Sequence, residues 1–506
     1  MRIARLVTMA ALSAALAATL VAGPGGAAAP RRTALVVGHH LDPTTLSAEQ
    51  TTTAAFQSVF AHITEQLVIF APDKAEVRPW LATGWKWVNP TTLEMKVRAG
   101  VKFTNGEEFD AEAARYSIEV LMRAGPYGMW TRGALNRIDV VDKTTLRVHL
   151  NRQAAYFLPL LARGGFVYPP RYHRENPQRY GSRPIGTGPF VLREWARGSH
   201  IVLERFPGYW GGPHPIERVT FRIIPEDTAR MAALEAGEID IALNAPITYY
   251  NRLKINRDLA LHTMPGLRKF TAFFNTRLEG PLRDRRVRVA MNHAVDQKAI
   301  ANRVFGGQAK PLEGQWFLPA EYGYSAAVKA YGYNPERARK LLAEAGVPNG
   351  FETALRYTVG RYPLDKELGE IVSSYLEAVG IKVRQFPLEY GEFLRQRTAG
   401  QMGPIHQWGL LVPPDAHFSF TLYIKGSIYR FHDYPEEWDR LIDQAAQELD
   451  PRKRLALYER LNKMAYDDPF GIYLIVPNDL YAVNRRVQNF TPRFDEVLWL
   501  FDVKFQ

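Results

Sequence analysis

Hydrophobic residues along this chain alternate with polar ones over short stretches and recur at helical spacing over longer ones, a pattern that predicts a mixed α/β protein. Leu93, Met95 and Val97 alternate, as do Val219, Phe221 and Ile223, and Ile201 with Leu203 less strictly. Each set predicts a half-buried strand. Helical stripes are formed by Val287, Ala290, Met291 and Ala294, and by Ala338, Leu341, Leu342 and Ala345. Local punctuation marks where such elements start and stop. Asp110 is a cap for a helix carrying Ala113, Ala114, Ser117 and Val120; Asn334 caps a helix with Pro335 at its first position and Gly346 past its end. Asp227 and Thr228 offer cap oxygens to an alanine-rich helix that stops at Gly237 and leads into a strand over 239–243. Residues 186–190 read GTGPF, in which two glycines allow positive φ and Pro189 fixes the exit into a strand. A short strand over 34–38, a helix-like segment over 56–68, a tight turn at Asn105-Gly106, and a helix, glycine stop and strand over 371–383 complete the pattern.

The chain has 506 residues, more than one hydrophobic core usually fills, so at least two lobes are expected. Arg2 and Arg5 precede an uncharged apolar run over 6–22 and a cluster of alanines at 27–29, the layout of a secretory signal peptide cleaved near Ala28 or Ala29. The run is short for a membrane span. No cysteine occurs, which excludes disulfides, thiolate metal sites, cysteine nucleophiles and a lipid-modified cysteine anchor. The expected location is therefore the periplasm of a Gram-negative cell, with the mature chain free and monomeric. The net charge of +12 comes from scattered arginines, and an exported protein seldom meets nucleic acid, so no nucleic-acid partner is implied.

The ordered segments carry a resemblance. GTGPF followed by LEAGEIDIA over 234–242, the set Pro79, Leu81, Ala82, Trp85, Arg98, Gly100, Val101, Phe103, Gly106 and Ala111, and the blocks beginning at Phe274 and Tyr333 together resemble the bacterial extracellular solute-binding proteins of family 5, the peptide/nickel-binding receptors of ABC importers. The resemblance covers essentially all of the mature chain. It implies a bilobal α/β periplasmic-binding-protein fold with an extra inserted subdomain and two mixed-sheet lobes joined by two hinge strands. The boundaries it suggests are a signal peptide over 1–29, lobe I over 30–266 with the insertion at about 62–178, lobe II over 267–480, and a C-terminal return to lobe I over 481–506. Crossings between lobes are expected near 265–273 and 474–481.

Catalysis finds no foothold: G-x-S-x-G, S-x-x-K, H-E-x-x-H, Walker A and G-x-G-x-x-G patterns are all absent, and none of the 12 histidines has zinc-type spacing. No metal or other cofactor is implied. In the family, a Trp followed three residues later by an Asp holds a peptide's α-ammonium between the lobes. Trp408 is present here, but Leu411 stands in the place of the Asp, so the anchoring carboxylate is missing from that position. Asp415 is a candidate replacement, with capping of the following turn as the structural alternative. Tyr390 stands where the family commonly has Trp, Arg397 where peptide binders have Arg, and His406 just before the Trp. His39 and His40 follow a strand end, where open α/β sheets present ligand loops. Tyr127, Met129 and Trp130 form an apolar cluster that either reaches the cleft or packs in the core. The resemblance implies capture of a short peptide or other small organic solute and delivery to a permease with its cytoplasmic ATPase. Nickel/haem-type, oligosaccharide or opine binding within the same family stays open, with an enzyme or chaperone further off. Without the Asp, unmodified dipeptides are expected to bind weakly, and ligands neutral at that end better.

Overall fold

The 14-residue strand Gly471–Asn484 is buried along most of its length and belongs to two sheets at once. The computed structural model describes residues 33–506 apart from 132, 320 and 428 and the side chains of Pro126 and Met129, so the expected signal peptide lies outside the described residues. Along its first half the long strand pairs antiparallel with Lys269–Phe274 and Ala309–Pro311. Along its second half it pairs with Leu259–Pro265 and Ile241–Ala242. The first sheet, on the second half of this strand, continues through Ala34–His39, Arg218–Ile223, His200–Arg205 and Phe190–Ala196; the second sheet, on its first half, continues from Lys269–Phe274 through Ile405–Leu410, Glu352–Val359 and Lys382–Glu389. Both are mixed, because Ala34–His39 and Glu352–Val359 each run parallel to both of their neighbours. A separate four-stranded antiparallel sheet is built from Ala82–Asn89, Thr92–Val97, Thr145–Leu150 and Leu135–Asp142.

Local sequence explains many of these elements. Asp110 accepts hydrogen bonds from the amides of Glu112 and Ala113 and starts the helix Ala111–Arg123; Asn334 does the same for Arg337 at the head of Pro335–Glu344. Four expectations about local elements need correction. Glu226, rather than Asp227 or Thr228, caps Asp227–Glu235, because its longer carboxylate reaches the amides of Thr228 and Ala229 while Asp227 pairs with the buried Arg230. The strand expected over 239–243 shrinks to Ile241–Ala242, since Asp240 turns inward to accept from the amide of Val36 and to pair with Arg486. In GTGPF, Gly186 and Gly188 are absent from the positive-φ residues. What they supply is close approach: a Cβ would lie 2.0 Å from the carbonyl oxygen of Ile63 at Gly186 and 2.5 Å from that of His62 at Gly188.

The helix expected over 56–68 is confined to Ala54–Phe60, after which the chain turns so that Glu65 points into the protein. Its carboxylate accepts from Trp80 Nε1 at 2.8 Å, Tyr209 Oη at 2.9 Å and Trp210 Nε1 at 2.8 Å. Trp499 and Phe501 of the C-terminal segment pack edge-on against Trp80, 5.4 and 5.5 Å away, so the tail closes over this knot. Elsewhere the four-stranded sheet's side of the molecule touches the second sheet's helices. Tyr156 stacks on His417 at 3.9 Å, Trp130 Nε1 donates to Thr421 Oγ1 at 3.2 Å, and the amide of Ala155 donates to the carbonyl of Ala446 at 2.9 Å.

Burial raises the Glu65 carboxyl from 4.5 to about 7 despite its three donors. A carboxyl that holds its proton more tightly in the folded state favours folding below its unfolded value, and that contribution is lost as pH rises to the folded value. We therefore expect Glu65 to withdraw about 3 kcal/mol of stability between pH about 4.5 and 7. Urea unfolding at pH 5 and pH 8 checks this: the drop is larger in the wild type than in Glu65→Gln, and equal drops would contradict it.

Candidate functional site

A cavity of about 250 Å³ lies where the two sheets meet on the shared strand. From the first sheet's side it is lined by His40, directly after the strand Ala34–His39, by the start of the helix Ala54–Phe60, and by Asn244. The shared strand contributes Asp479, and the C-terminal segment contributes Glu496. Arg268, Arg361, Tyr362, Tyr390, Arg397, Trp408, Leu411 and Tyr429 come from the second sheet and its connections.

Arginine stacked on aromatic rings is the dominant motif. The guanidinium carbon of Arg397, on the helix Tyr390–Thr398, is 4.5 Å from the ring centre of Trp408 and 4.4 Å from that of Tyr429. The Nε and Nη1 atoms of Arg397 are shielded from solvent and have no hydrogen-bond partner among the described residues. Arg361 lies 4.9 Å from Tyr362 and 5.2 Å from Tyr390. Arg268 lies 5.1 Å from Tyr362 and pairs with Glu496 at 2.7 Å. Guanidinium on a ring face is attracted by the ring quadrupole while its in-plane N–H groups stay available to an acceptor. Facing these cations are two carboxylates. Burial, reinforced by the nearby Glu496, holds the Asp479 carboxyl well above the usual carboxylate range. His40 is held neutral by burial first and then by His39 and the surrounding arginines.

Five residues singled out in the sequence share this cavity: His40, Tyr390, Arg397, Trp408 and Leu411. The other three do not. His39 is fully buried, with Nδ1 2.6 Å from the carbonyl of Leu41 and Nε2 2.9 Å from that of Ala55, so its ring is consumed in tying a strand end to a helix. His406 sits behind Trp408, stacked on Phe273 at 5.5 Å and edge-on to Phe431 at 4.6 Å; burial pulls it down to about 3. Asp415 is the clearest correction. Both of its oxygens are taken by Arg454, at 2.7 and 2.8 Å, and one also accepts from the amide of His417 at the head of Ala416–Phe420. It lines no part of this cavity and cannot replace the Asp that Leu411 displaces. Tyr127 and Trp130 are core residues, the former within reach of Gln57 and the latter bonded to Thr421.

Sequence reasoning missed Asp479, Glu496, Arg268, Arg361, Tyr362 and Tyr429. One signal was available: Asp479 is the lone charged residue within 471–484, an otherwise apolar and strand-like run. A charge inside such a run is expensive unless something answers it.

The model for bacterial extracellular solute-binding proteins, family 5 (middle), matches residues 76–429. The chain belongs to this family. Among similar relatives, heme-binding protein A of Haemophilus influenzae is 28% identical over 437 residues, covering 79% of each chain. The dipeptide-binding protein of Escherichia coli is 28% identical over 464 residues, covering 84% of this chain and 85% of that one. Among solved structures, the ABC transporter-associated periplasmic binding protein DppA from Helicobacter pylori in complex with peptide STSA superposes with a TM-score of 0.82 at 24% identity, over 94% of this chain and 98% of that one. The fold of this family 5 protein is thus the bilobal α/β binding-protein fold, and the cavity lies at its two crossing segments.

Because Asp415 and Arg454 satisfy one another in the interior, Asp415→Ala strands a buried guanidinium and is expected to cost about 3–5 kcal/mol of stability. Chemical denaturation checks this, and a change below about 1 kcal/mol would contradict the assignment.

Proposed function

We propose that this protein is the periplasmic receptor of an ABC importer for a small organic solute bearing a carboxylate, captured between its lobes and handed to a membrane permease. The observation that carries the ligand class is Arg397: a guanidinium in the cavity wall packed against two aromatic rings, with Nε and Nη1 unanswered by any described residue. Fork-shaped donors of this kind recognise carboxylates through paired, charge-assisted hydrogen bonds. The cavity of about 250 Å³ accommodates a solute of dipeptide size. Peptide-like acids are the favoured class on these grounds, in keeping with the names that several relatives carry. Export by the N-terminal signal, the lobe boundaries near 266 and 480, and a monomeric state belong to the same reading, as does a role in binding rather than catalysis.

Contacts made to both lobes stabilise the closed arrangement relative to the open one, which is how such a receptor reports occupancy to its permease. A ligand that saturates the site is expected to reduce the radius of gyration in small-angle scattering, and an unchanged radius at saturation would overturn the closing mechanism. Arg397→Gln removes the charged fork and keeps part of the hydrogen-bonding capacity. In calorimetry with carboxylate-bearing dipeptides it is expected to weaken binding by about 2–4 kcal/mol, with the thermal midpoint of the ligand-free protein little changed. Undiminished affinity would reject the ligand class.

A further inference from the structure

The acidic side of the cavity has chemistry of its own. Asp479 Oδ2 and Glu496 Oε1 are shielded from solvent and neither has a hydrogen-bond partner among the described residues. The other oxygen of Glu496 is held by Arg268 at 2.7 Å. Glu496 is thus answered by Arg268 on one oxygen, and the Asp479 carboxyl beside it is left without a partner of its own in a partly desolvated wall. Glu496 is kept in place by a left-handed backbone, φ 61°, unusual for a residue with a side chain. Its carbonyl accepts from Ser58 Oγ at 3.3 Å, which ties the segment to the first sheet's helix. Asp479 sits opposite Met264 on the shared strand, beside Gly266, so its position is fixed by backbone pairing. A buried carboxylate without a partner is destabilising and persists where something other than folding requires it.

We propose that Asp479 and Glu496 form the subsite for the cationic end of a zwitterionic solute, a primary ammonium, while its carboxylate end lies on Arg397. This rests on the carboxylate-capture reading above and extends it. The acid that Leu411 lacks on the second lobe is supplied instead from the crossing strand and the C-terminal segment. Three arginines against two carboxylates leave the wall net positive, so a solute with one ammonium and at least one carboxylate matches it, whereas a simple amine does not.

Thermal shift and calorimetry with an equimolar pool of unmodified dipeptides, and with the same pool N-acetylated, provide the test. The unmodified pool is expected to raise the midpoint of the wild type, and the acetylated pool to raise it much less. Asp479→Asn and Glu496→Gln are each expected to weaken binding of the unmodified pool at least about tenfold. Asp479→Asn is also expected to raise the midpoint of the ligand-free protein, because it removes a carboxylate facing Glu496, and a residue needed for folding would move it the other way. Equal shifts from the two pools, or undiminished binding by both variants, overturn the proposal. If the unmodified pool gives no shift the subsite is likewise rejected: a shift from the acetylated pool then leaves carboxylate capture standing, and no shift from either pool removes both.

Discussion

Backbone hydrogen bonding of Gly471–Asn484 is the constraint from which the rest of the molecule follows. One strand ladders into both sheets, so neither sheet is complete without it. Its neighbours Leu259–Pro265 and Lys269–Phe274 are consecutive in sequence and separated by Gly266, Leu267 and Arg268, so the second connection between the sheets crosses at the same level. Gly266 is obligatory there, because a Cβ would lie 2.4 Å from the carbonyl of Pro477. Two adjacent crossings with a close backbone approach mark the axis about which the proposed closing motion would turn the sheets while each keeps its own register. The cavity sits on that axis, which is why Arg268 and Asp479, two of the charges lining it, belong to the crossing segments themselves.

Electrostatics on the cavity wall are arranged to survive desolvation. An arginine stays charged in surroundings that would neutralise lysine or histidine, and its flat face packs on aromatic rings as if apolar. Stacking therefore lets Arg361 and Arg397 be drawn partly out of water without a carboxylate partner, keeping their donors for a ligand. His40 shows the contrast: in the same wall, burial and the neighbouring arginines keep it neutral. Histidine so placed contributes shape, with no charge.

What could be read from the sequence was what short-range physics determines. Caps at Asp110 and Asn334 were legible because capping depends on residues two or three positions away, and the strands around Met95 and Phe221 because alternation is intrinsic to a pleated ribbon. Family blocks then placed Trp408, Tyr390, Arg397 and Leu411 in one wall. The failures are long-range. Nothing near Asp415 in sequence announces Arg454, 39 residues on, whose guanidinium takes both of its oxygens. Glu496 enters the cavity only because the C-terminal segment returns across the first sheet, and no local pattern encodes that return. The glycines of GTGPF were noticed for the wrong reason: what demands them is the backbone of residues 62–64, brought close by tertiary structure.

Moving an acidic group from the second lobe to the shared strand alters what the site can select. An Asp at position 411 would lie in the same wall as Arg397 and Trp408, so both ends of a zwitterion would be read by one lobe. With the carboxylates at Asp479 and Glu496 and the free guanidinium at Arg397, the two charges are carried by different bodies, the crossing segments and C-terminal return on one side and a second-sheet helix on the other. A ligand engages both when the lobes are together and its own charges are separated by the matching span. Recognition of charge separation and closure of the cleft then become the same event: a solute carrying either charge alone leaves the opposite wall unpaired, and that desolvated charge opposes closing.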